Sequence, residues 1–456
     1  MQLQDTIVAI ATPPGQGALG IIRISGKSAF DIANKIFRGS KNIENFKSHT
    51  IHYGKVVYGN SVIDNVLLSK MDEPHSYTGE NSIEITCHGG RLILHNILSA
   101  VVAAGARPAE PGEFTFRAYI NGRMDLAQAE AVQDLIFAES ALALKTAALQ
   151  LEGNLSKHIE NIKKDIISIL AEIEASIDFP DEDIKPSNKD ELQKRIDTLI
   201  KKLTDLESTY EDGRRISKGI LIAITGKPNA GKSSLLNAIL EKDRAITTHI
   251  PGTTRDIIKE SLIWQGFSLQ ICDTAGIRKS KDIIEEEGIR RSIKAIKDSD
   301  LVIFILDASA PLSAEDIEIA DHIKNKKYIV VLNKCDLEQK IKENPFGENR
   351  MPYCISVSAL KNININKLKD LLIERIWQHG IPSCDEAIIT NARHKNALLK
   401  AIKNLSQANE TIQLGLSGEF TAVYVRESLN AIDLISGKST TEDVLKEIFS
   451  KFCIGK

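Results

Sequence analysis

The stretch GILIAITGKPNAGKSSLLNAIL, residues 219 to 240, decides how the middle of this chain folds. Its β-branched, apolar run Ile220–Thr225 predicts a buried strand, and Ser234–Leu240 predicts a helix. Between them, Gly226–Ser233 completes the pattern G-x-x-x-x-G-K-S in the strand–loop–helix context that a phosphate loop requires. We therefore predict a phosphate-binding loop, against the alternative of a chance match.

Each part of this loop has a chemical role. Glycines let the backbone wrap around a phosphate without Cβ clashes, and loop N–H groups together with the helix N-terminus can donate to a β-phosphate. Lys232 can bridge the β- and γ-phosphates, and the Ser233 hydroxyl can bind Mg²⁺. Two similar tripeptides, Gly26–Ser28 and Gly437–Ser439, lack the first glycine of the pattern, so we reject them as phosphate loops.

Four further motifs follow in the order and spacing of a G domain: Gly252-Thr253-Thr254-Arg255-Asp256, Asp273-Thr274-Ala275-Gly276, Asn333-Lys334-Cys335-Asp336 and Ser358-Ala359-Leu360. A threonine of the first can reach Mg²⁺ and the γ-phosphate, Asp273 can hold a magnesium-bound water, and the Gly276 N–H can contact the γ-phosphate. The Asp336 carboxylate can accept from guanine N1–H and the amino group, and the last motif can donate backbone N–H groups to guanine O6. Together they predict GTP binding, with a nucleotide-free, degenerate G domain as the alternative.

The hydrolytic residues are less usual. Ile277 stands where a Ras-type GTPase has the glutamine that orients water, and it cannot do so. Carboxylates of the segment Asp282–Glu287 are candidates for this role, and Asn229 in the phosphate loop could help to hold a monovalent cation that neutralises charge in the transition state. No arginine finger is evident, although three arginines are candidates: Arg255, Arg278 and Arg290.

Composition sets the limits on the class of protein. With 456 residues, 42% hydrophobic and 26% charged, the chain fits a globular protein of two or three domains. A net charge of −3 gives no sign of a nucleic-acid partner, so RNA binding would need a local basic patch. No C-x-x-C pair, targeting segment or long apolar run is found, which predicts a soluble cytoplasmic protein with no membrane association.

Changes of texture predict the domains. Residues 1–118 form a small α/β domain with strands at Thr6–Ala11, Gly20–Ser25, Val62–Lys70 and Ser82–Cys87. Residues 119–214 are helical, 215–380 alternate strands and helices as a doubly wound domain with a hairpin at Gln265-Gly266, and 381–456 are helical again. The predicted fold class is therefore α/β and α multidomain. One helical domain split by the nucleotide domain is the simpler interpretation, and a separate C-terminal bundle is the alternative.

Three weaker candidates have a plain structural alternative. His49 and His52 could be part of a metal site, but no third ligand is near in sequence. Cys87–Gly90 could be catalytic, although a tight turn after a strand explains it as well. Asp178–Asp183 could bind a cation, although a solvated turn between helices is the simpler interpretation.

Four stretches of the sequence are distinctive: Phe452–Lys456 (FCIGK), Gly122–Ala131 (GRMDLAQAEA), Tyr77–Ser82 (YTGENS) and the phosphate loop containing Asn229. They carry a resemblance of the whole chain to the MnmE (TrmE) family of tRNA-modifying GTPases. It implies a homodimer with an N-terminal folate-binding domain, a split helical domain and an inserted P-loop G domain. It also implies an FAD-containing MnmG-like partner that forms a hetero-oligomer with this chain. The pair would install an aminomethyl-type group at carbon 5 of the wobble uridine in tRNA, using a tetrahydrofolate one-carbon unit.

The resemblance further implies that GTP hydrolysis is potassium-activated and coupled to dimerisation of the G domains. Glu285 would orient water, with Lys232 and Asn229 completing the catalytic set. Ser233 and Thr254 would bind Mg²⁺, and the potassium ligands would be Asn229, Thr248, Ile250 and Thr253. The GTP-binding set would comprise Asn229, Ala230, Gly231, Lys232, Ser233, Ser234, Thr248, His249, Ile250, Gly252, Thr253, Thr254, Asp273, Thr274, Ala275, Gly276, Asn333, Lys334, Asp336, Ser358, Ala359 and Leu360.

Four positions would contact folate: Arg23, Glu80, Arg123 and Lys456. Cys453 matches the C-terminal cysteine of the family and is a candidate for the modification chemistry. Arg123 stands where some members carry lysine, and His249 replaces a commoner aspartate. Without the resemblance, Glu285 reads as a solvated acid at a helix N-terminus, Cys453 as an incidental cysteine and Arg23 as a surface charge.

Two other functions share part of these features. A ribosome-assembly GTPase would carry the same G domain, but it has no need of the N-terminal segment or of the ending Cys-Ile-Gly-Lys. A scaffold for the partner enzyme would use hydrolysis only as a timer. Folate binding distinguishes the first alternative, and the effect of Cys453→Ser on modification partly distinguishes the second.

Overall fold

The computed structural model describes residues 5–178, 189–240, 259–273, 294–341, 345–346, 353–377, 380 and 386–456. The chain forms two compact units. The first comprises residues 1–133, 150–201 and 397–456, and the second comprises residues 134–149 and 202–396. Each unit therefore combines segments that are far apart in sequence.

A seven-stranded sheet is the centre of the N-terminal part. Its strands are β1 (Ile7–Ile10), β2 (Leu19–Ser25), β3 (Phe37–Gly39), β4 (Thr50–Tyr58), β5 (Ser61–Met71), β6 (Ser82–His88) and β7 (Arg107–Pro108). Their order is β3-β4-β5-β6-β2-β1-β7, antiparallel except for β1 with β7. All four predicted strands are present, while β3, β4 and β7 lie outside the predictions.

One face of this sheet carries the hydrophobic core, which is shared with α1 (Ala29–Ile36) and α2 (Arg91–Ala103). Ile22 and Ile24 of β2 point into that core and are fully buried. Because side chains alternate along a strand, Arg23 lies on the other face. The strand register places Arg23 directly opposite Glu84 of β6, so the two charged side chains are neighbours on that face. Helix α3 (Glu113–Ile120) follows β7.

The described residues of the predicted helical region form five helices before the nucleotide part. They are α4 (Leu126–Ile136), α5 (Ala141–Leu151), α6 (Asn154–Asp178), α7 (Lys189–Ser208) and α8 (Tyr210–Lys218). The long helices are amphipathic, and α6 buries one face that includes Ile162, Ile166 and Ile169. Of the acidic turn predicted at Asp178–Asp183, only Asp178 belongs to the described residues.

A six-stranded sheet is the centre of the nucleotide part. Its strands are β8 (Ile220–Thr225), β9 (Lys259–Trp264), β10 (Phe267–Asp273), β11 (Leu301–Asp307), β12 (Tyr328–Asn333) and β13 (Cys354–Ser356), in the order β13-β12-β11-β8-β10-β9. All neighbours are parallel except the β9–β10 hairpin, which turns at Gln265-Gly266 as predicted. The described helices include α9 (Lys232–Leu240), α10 (Ala314–Ile323) and α11 (Ile365–Ile376), and residues 294–298 are also helical.

Strands β11 and β12 are buried along almost their whole length, as expected for a parallel sheet that is covered on both faces. The carboxyl ends of β8, β11 and β12 meet at one edge of the sheet, and each leads into a polar loop. Such an edge is where doubly wound folds bind their ligands.

The chain ends in three helices, α12 (Ala392–Gln413), α13 (Gly418–Ser436) and α14 (Glu442–Ser450). Phe449 and Phe452 pack in one core with Leu126 and Val132 of α4. Helical segments on either side of the nucleotide part therefore share a core, as a split helical domain would require. Among the described residues, no helix has the length and apolarity needed to cross a membrane.

Candidate functional site

The phosphate loop joins β8 to α9, and its backbone conformation depends on glycine. Gly226 and Gly231 have φ angles of 152° and 99°. A Cβ at Gly226 would overlap the carbonyl oxygen of Ile305, and a Cβ at Gly231 would overlap the side-chain nitrogen of Asn333. Asn229 also has a positive φ, 64°. The loop is thus held against β11 and β12, with no room for side chains at its two glycines.

Lys232 begins α9 and lies over the loop. Its ammonium donates to the carbonyl oxygens of Gly226 at 2.6 Å and of Lys227 at 2.8 Å. Ser233 and Ser234 are exposed in the first turn of the same helix. The loop therefore places a cation, two hydroxyls and a helix N-terminus together, a combination that suits a polyphosphate and its Mg²⁺.

Asn333, the last residue of β12, connects three of the sequence motifs. Its side-chain nitrogen donates to the carbonyl of Ala230 at 2.9 Å, and its side-chain oxygen accepts from the N–H of Ala359 at 3.1 Å. Only 2% of this residue is exposed. Both ends of the buried amide are satisfied, so the phosphate loop and the two candidate base-binding motifs are fixed relative to one another.

Asp336 provides the charged acceptor that guanine recognition requires. A hydrogen bond from the Ser358 side chain, and beyond that the nearby Lys361 ammonium, lower the pKa of its carboxyl group. The Lys361 ammonium lies 3.7 Å from the carboxylate. Asp336 is therefore ionised at neutral pH and can accept from the N1–H and amino group of guanine. Leu360 in the same loop is 86% exposed.

Lys334 is held next to this position. It has a φ of 65°, and its ammonium pairs with Asp307 at the end of β11. Burial raises the pKa of the Asp307 carboxyl group, but the hydrogen bonds from Lys334 and Ser309 outweigh this, so the pKa is lowered. The described residues thus fit a guanine nucleotide at both its phosphate end and its base end.

Several predicted nucleotide and metal residues lie outside the described residues: Thr248, His249, Ile250, Gly252, Thr253, Thr254, Thr274, Ala275, Gly276 and Glu285. The same holds for Ile277 and the three candidate arginines. Asp273 ends β10, as predicted, but its side chain is not described. The proposed potassium and water-orienting residues are therefore represented in the described structure by Asn229 alone.

A second polar site lies on the face of the N-terminal sheet opposite the larger core, next to the buried ring of Phe114. Arg23 forms an ion pair with Glu84 at 2.8 Å, and its guanidinium lies over the rings of Tyr77 and Phe114 at 5.4 and 5.7 Å. It also donates to the carbonyl of Gly455 at 3.3 Å. The penultimate residue of the chain therefore contacts the second strand.

Lys456 joins this cluster through the same aromatic ring. Its ammonium lies 5.9 Å from the centre of the Tyr77 ring, on which Arg23 also lies. Burial and then the positive charge of Arg23 lower the pKa of Lys456. Glu84 already compensates the charge of Arg23, so the positive charge of Lys456 is the one that could attract a further anionic group.

Glu80 is fixed near this cluster by buried partners. Its carboxylate accepts from the Ser25 hydroxyl at 2.7 Å and lies 3.3 Å from the Arg117 guanidinium. Ser25 is two residues after Arg23 on β2. Arg123 is exposed, and its stem lies within van der Waals distance of the position that a Cβ on Gly79 would occupy. The structure thus brings Arg23 and Lys456 to one aromatic ring, links Glu80 through Ser25 to the strand that carries Arg23, and places Arg123 beside the loop that carries Glu80.

Cys453 lies in the same C-terminal tail, with an exposed side chain. Its carbonyl accepts from the N–H of Gly112 at 3.4 Å.

The weaker candidates do not form a site in the described residues. His52 stacks on Phe46 with ring centres 3.4 Å apart. Cys87 is buried, and burial raises the pKa of its thiol to about 11, which does not suit a nucleophile. Within the described residues, no group of three metal-binding side chains is found.

Sequence reasoning missed the partners of the second site. Tyr77 lies in the quoted segment Tyr77–Ser82, yet it had no role assigned. Glu113 and Arg117 are each 1% exposed and form a buried ion network that includes Asp5 and reaches Glu80. In the sequence, charged residues at i and i+4 of a helix are typical of an exposed face, so nothing marked these two as buried.

The doubly wound sheet, the phosphate loop and the carboxylate at the base position define a P-loop, guanine-nucleotide-binding protein of the G-domain class. The match of two family models extends this conclusion to the rest of the chain. The model of the GTP-binding protein TrmE N-terminus matches residues 6–123, and that of the MnmE helical domain matches residues 126–453.

Full-length relatives agree. The tRNA modification GTPase MnmE of Clostridioides difficile is 44% identical over 461 residues, covering 100% of both chains. That of Protochlamydia amoebophila is 44% identical over 453 residues, covering 99% of this chain and 98% of its own. This chain belongs to the MnmE family of tRNA modification GTPases. It is thus an enzyme that binds and hydrolyses GTP, and its predicted fold class is confirmed.

Solved structures include a similar G-domain protein. The crystal structure of a variant of Aquifex aeolicus Era bound to GDP·AlF4− is 28% identical to this chain. The comparison covers 40% of this chain and 65% of Era, with a TM-score of 0.27. The family assignment does not rest on this similarity.

Proposed function

We propose that this GTPase acts with an FAD-containing MnmG-like partner to install an aminomethyl-type group at carbon 5 of the wobble uridine of tRNA. A tetrahydrofolate derivative would supply the one-carbon unit. The observation that carries this proposal is the convergence of Arg23, Tyr77 and Lys456, together with nearby Glu80. All of these residues except Lys456 lie in the part of the chain that matches the TrmE N-terminus, and together they give the protein a second candidate ligand site besides that for GTP.

The chemistry of these groups suits a folate. A pterin ring carries amino and N–H donors for the Glu80 carboxylate, and a folate carries carboxylates for cations such as Arg23, Lys456 and Arg123. Tyr77 offers an aromatic face, and burial raises the pKa of its hydroxyl, so it stays neutral. Residues 1–118 would form the folate-binding and dimerisation domain of a cytoplasmic homodimer.

The remaining domain boundaries follow the sequence: residues 119–214 and 381–456 would be the two parts of the helical domain, and 215–380 the G domain.

Ser233 and Thr254 would hold Mg²⁺, which would neutralise charge on the phosphates during hydrolysis. Asn229, Thr248, Ile250 and Thr253 would hold K⁺, which would supply the positive charge that an arginine finger supplies elsewhere. Glu285 would orient the attacking water, and Lys232 would stabilise charge on the phosphates. Hydrolysis would be coupled to dimerisation of the G domains.

Folate binding is the direct test of the N-terminal site. We expect 5-formyltetrahydrofolate to bind the wild-type protein in equilibrium dialysis, and Arg23→Gln and Lys456→Met each to weaken binding by about tenfold, the loss of one charged hydrogen bond. Lys451→Met is the matched control, since Lys451 is an exposed lysine in the same tail. Equal binding by all four proteins, or no binding by the wild type, would refute the folate site.

GTP turnover in KCl and in NaCl tests the hydrolytic proposal. We expect faster turnover in KCl, and we expect Glu285→Ala to lose turnover while still binding nucleotide. Equal rates in both salts together with an active Glu285→Ala would be incompatible with a potassium-dependent mechanism. The search for a catalytic group would then return to Arg255, Arg278 and Arg290 or to a partner protein.

Reconstitution with the partner tests the whole function. Transfer RNA from cells lacking this protein would be incubated with this chain, the FAD-containing partner, GTP and the folate, and its nucleosides analysed by mass spectrometry. We expect the modified uridine only in the complete mixture. Cys453→Ser tests the proposed role of that thiol in modification, because unchanged product formation by this variant would exclude it. Product without GTP or without folate would refute the corresponding part of the proposal.

A further inference from the structure

Lys227 and Asp316 form an ion pair in the G domain that none of the nucleotide motifs explains. Lys227 is the second residue of the phosphate loop, and its ammonium lies 2.9 Å from Asp316 Oδ2. The two side chains are 18% and 1% exposed. We propose that this pair is a positioning device, which holds the phosphate loop in its nucleotide-binding conformation.

Asp316 is fixed by its own helix before it meets Lys227. It stands in the first turn of α10 and forms a capping box with Ser313. Its Oδ2 accepts from the Ser313 hydroxyl at 2.6 Å and from the Ser313 N–H at 3.0 Å, while Ser313 Oγ accepts from the Asp316 N–H at 3.4 Å. The carboxylate therefore occupies one position on a rigid element.

Capping alone does not explain a buried charge at this place. Burial raises the pKa of the Asp316 carboxyl group, but the hydrogen bonds from Ser313 and Lys227 outweigh it and the pKa is lowered. The carboxylate therefore remains charged in an environment that penalises charge. Lys227 is the cation that compensates for this buried charge. The ion pair therefore ties the phosphate loop to a carboxylate that is shielded from water.

The backbone of Lys227 also contacts Lys232, the lysine that we expect to bind the phosphates. Its carbonyl accepts from the Lys232 ammonium at 2.8 Å and from the N–H of Ala230 at 3.4 Å. The loop thus contains two lysines with different tasks. Lys232 stands over the loop, whereas the charge of Lys227 is directed to Asp316.

The expected consequence is a change in affinity that is the same for GTP and GDP. The loop backbone contacts the phosphates that both nucleotides share, so a loop that must order itself on binding weakens both by one factor. Removing the ion pair should raise KM for GTP more than it lowers kcat. The ordered loop contributes equally to binding of the ground state and of the transition state.

We would measure the affinities of fluorescent GTP and GDP analogues for four variants of the full-length protein and one control. Lys227→Met and Asp316→Asn are expected to weaken both nucleotides about tenfold, and the double variant no more than either single one, because each change removes the same interaction. Lys227→Arg, which keeps the charge, should restore most of the affinity. Lys367→Met, an exposed lysine of α11, is the matched control.

Three results would overturn the proposal. The first is unchanged affinity in Lys227→Met. The second is additive losses in the double variant, which would mean that the two residues act separately. The third is a fall in kcat with unchanged affinity, which would mean that Lys227 acts on the phosphates themselves. Because Asp316→Asn keeps an acceptor for Ser313, it tests the pair without removing the cap.

Discussion

At the scale of single residues, this protein uses buried polar groups to fix positions. The Asn333 amide joins Ala230 and Ala359, and both its donor and its acceptor are satisfied. Asp336, three residues later, stays charged because Ser358 and Lys361 lower the pKa of its carboxyl group. Asn333 therefore fixes the phosphate loop relative to the Ser358–Leu360 loop, and Asp336 is the residue that we propose to recognise the base.

Asp336→Asn should change the preferred base from guanine to xanthine. A carboxylate accepts from both N1–H and the amino group of guanine, whereas an amide can accept once and donate once to the carbonyl of xanthine. We expect GTP affinity to fall on the order of 10- to 100-fold, with a gain for XTP. Competition binding with both nucleotides measures this. Asp321→Asn, on the exposed side of α10, is the control, and an unchanged GTP preference in Asp336→Asn would contradict the assignment.

Glu113→Gln should destabilise the protein at neutral pH and have less effect in acid. Burial raises the pKa of Glu113, but Arg107, the Glu110 N–H and Arg117 outweigh it, so the folded-state pKa lies below the unfolded one. Its contribution is therefore complete above an unfolded pKa of about 4.3 and is lost as pH falls through the lower folded value.

We expect a loss in the free energy of unfolding of about 3 kcal/mol at pH 7, typical of breaking a buried pair. The difference from wild type should shrink below about pH 4. Urea unfolding followed by circular dichroism between about pH 7 and pH 3 measures both. Glu110→Gln, an exposed neighbour, should show neither effect. A Glu113→Gln loss that does not depend on pH would show that the altered hydrogen bonding, and not the lost charge, is responsible.

At the scale of elements, the C-terminal tail is attached by backbone contacts that require glycine. Gly455 has a φ of 93°, and a Cβ there would lie 2.6 Å from the carbonyl oxygen of Ile10. Its own carbonyl accepts from Arg23, and Phe449 and Phe452 anchor the preceding turn against α4. The last residues thus pack against β1 and β2, and this contact places the Lys456 ammonium over the Tyr77 ring.

Gly455→Ala should release the end of the tail. The alanine must adopt a left-handed backbone at a cost of roughly 1 kcal/mol and must also avoid Ile10. We expect faster hydrogen exchange in residues 453–456 and weaker folate binding, with GTP binding unchanged. Gly122→Ala is the matched control, since Gly122 has a φ of 69° but nothing within 4 Å of its Cβ position. If both variants behave alike, backbone strain and not the contact with Ile10 is the cause.

At the scale of the whole molecule, the chain forms two compact units with separate hydrophobic cores. The nucleotide site and both tryptophans of the sequence, Trp264 and Trp377, belong to the second unit. The site around Arg23 and Lys456 belongs to the first. Each unit therefore has its own candidate ligand site and can be followed by its own signal.

GDP should stabilise the two units unequally. A ligand at 100 times its Kd adds about 2.7 kcal/mol to the state that binds it. We expect the urea midpoint measured by tryptophan fluorescence to rise with GDP, and the part of the circular dichroism transition that comes from the first unit to stay in place. A single coincident transition by both probes, shifted as a whole, would show that the units unfold as one.

The sequence by itself determined the features that depend on local pattern. A phosphate loop needs its glycines and lysine at fixed spacing, so Gly226–Ser233 could be recognised without coordinates, as could the hairpin at Gln265-Gly266, while the role of Asp336 in binding the base stays a prediction. The apolar run Ile220–Thr225 located β8 for the same reason, because a strand buried on both faces has few polar residues to interrupt it.

Only the tertiary structure decided which distant residues meet. Arg23 and Gly455 are 432 positions apart, and Lys227 and Asp316 are 89 positions apart. No local sequence pattern predicts such pairs, because the distance between two residues far apart in sequence depends on how all the chain between them folds. Nothing in the sequence marked Glu113, Arg117 and Asp316 as buried charges, since burial is a property of the packed molecule and not of the residue.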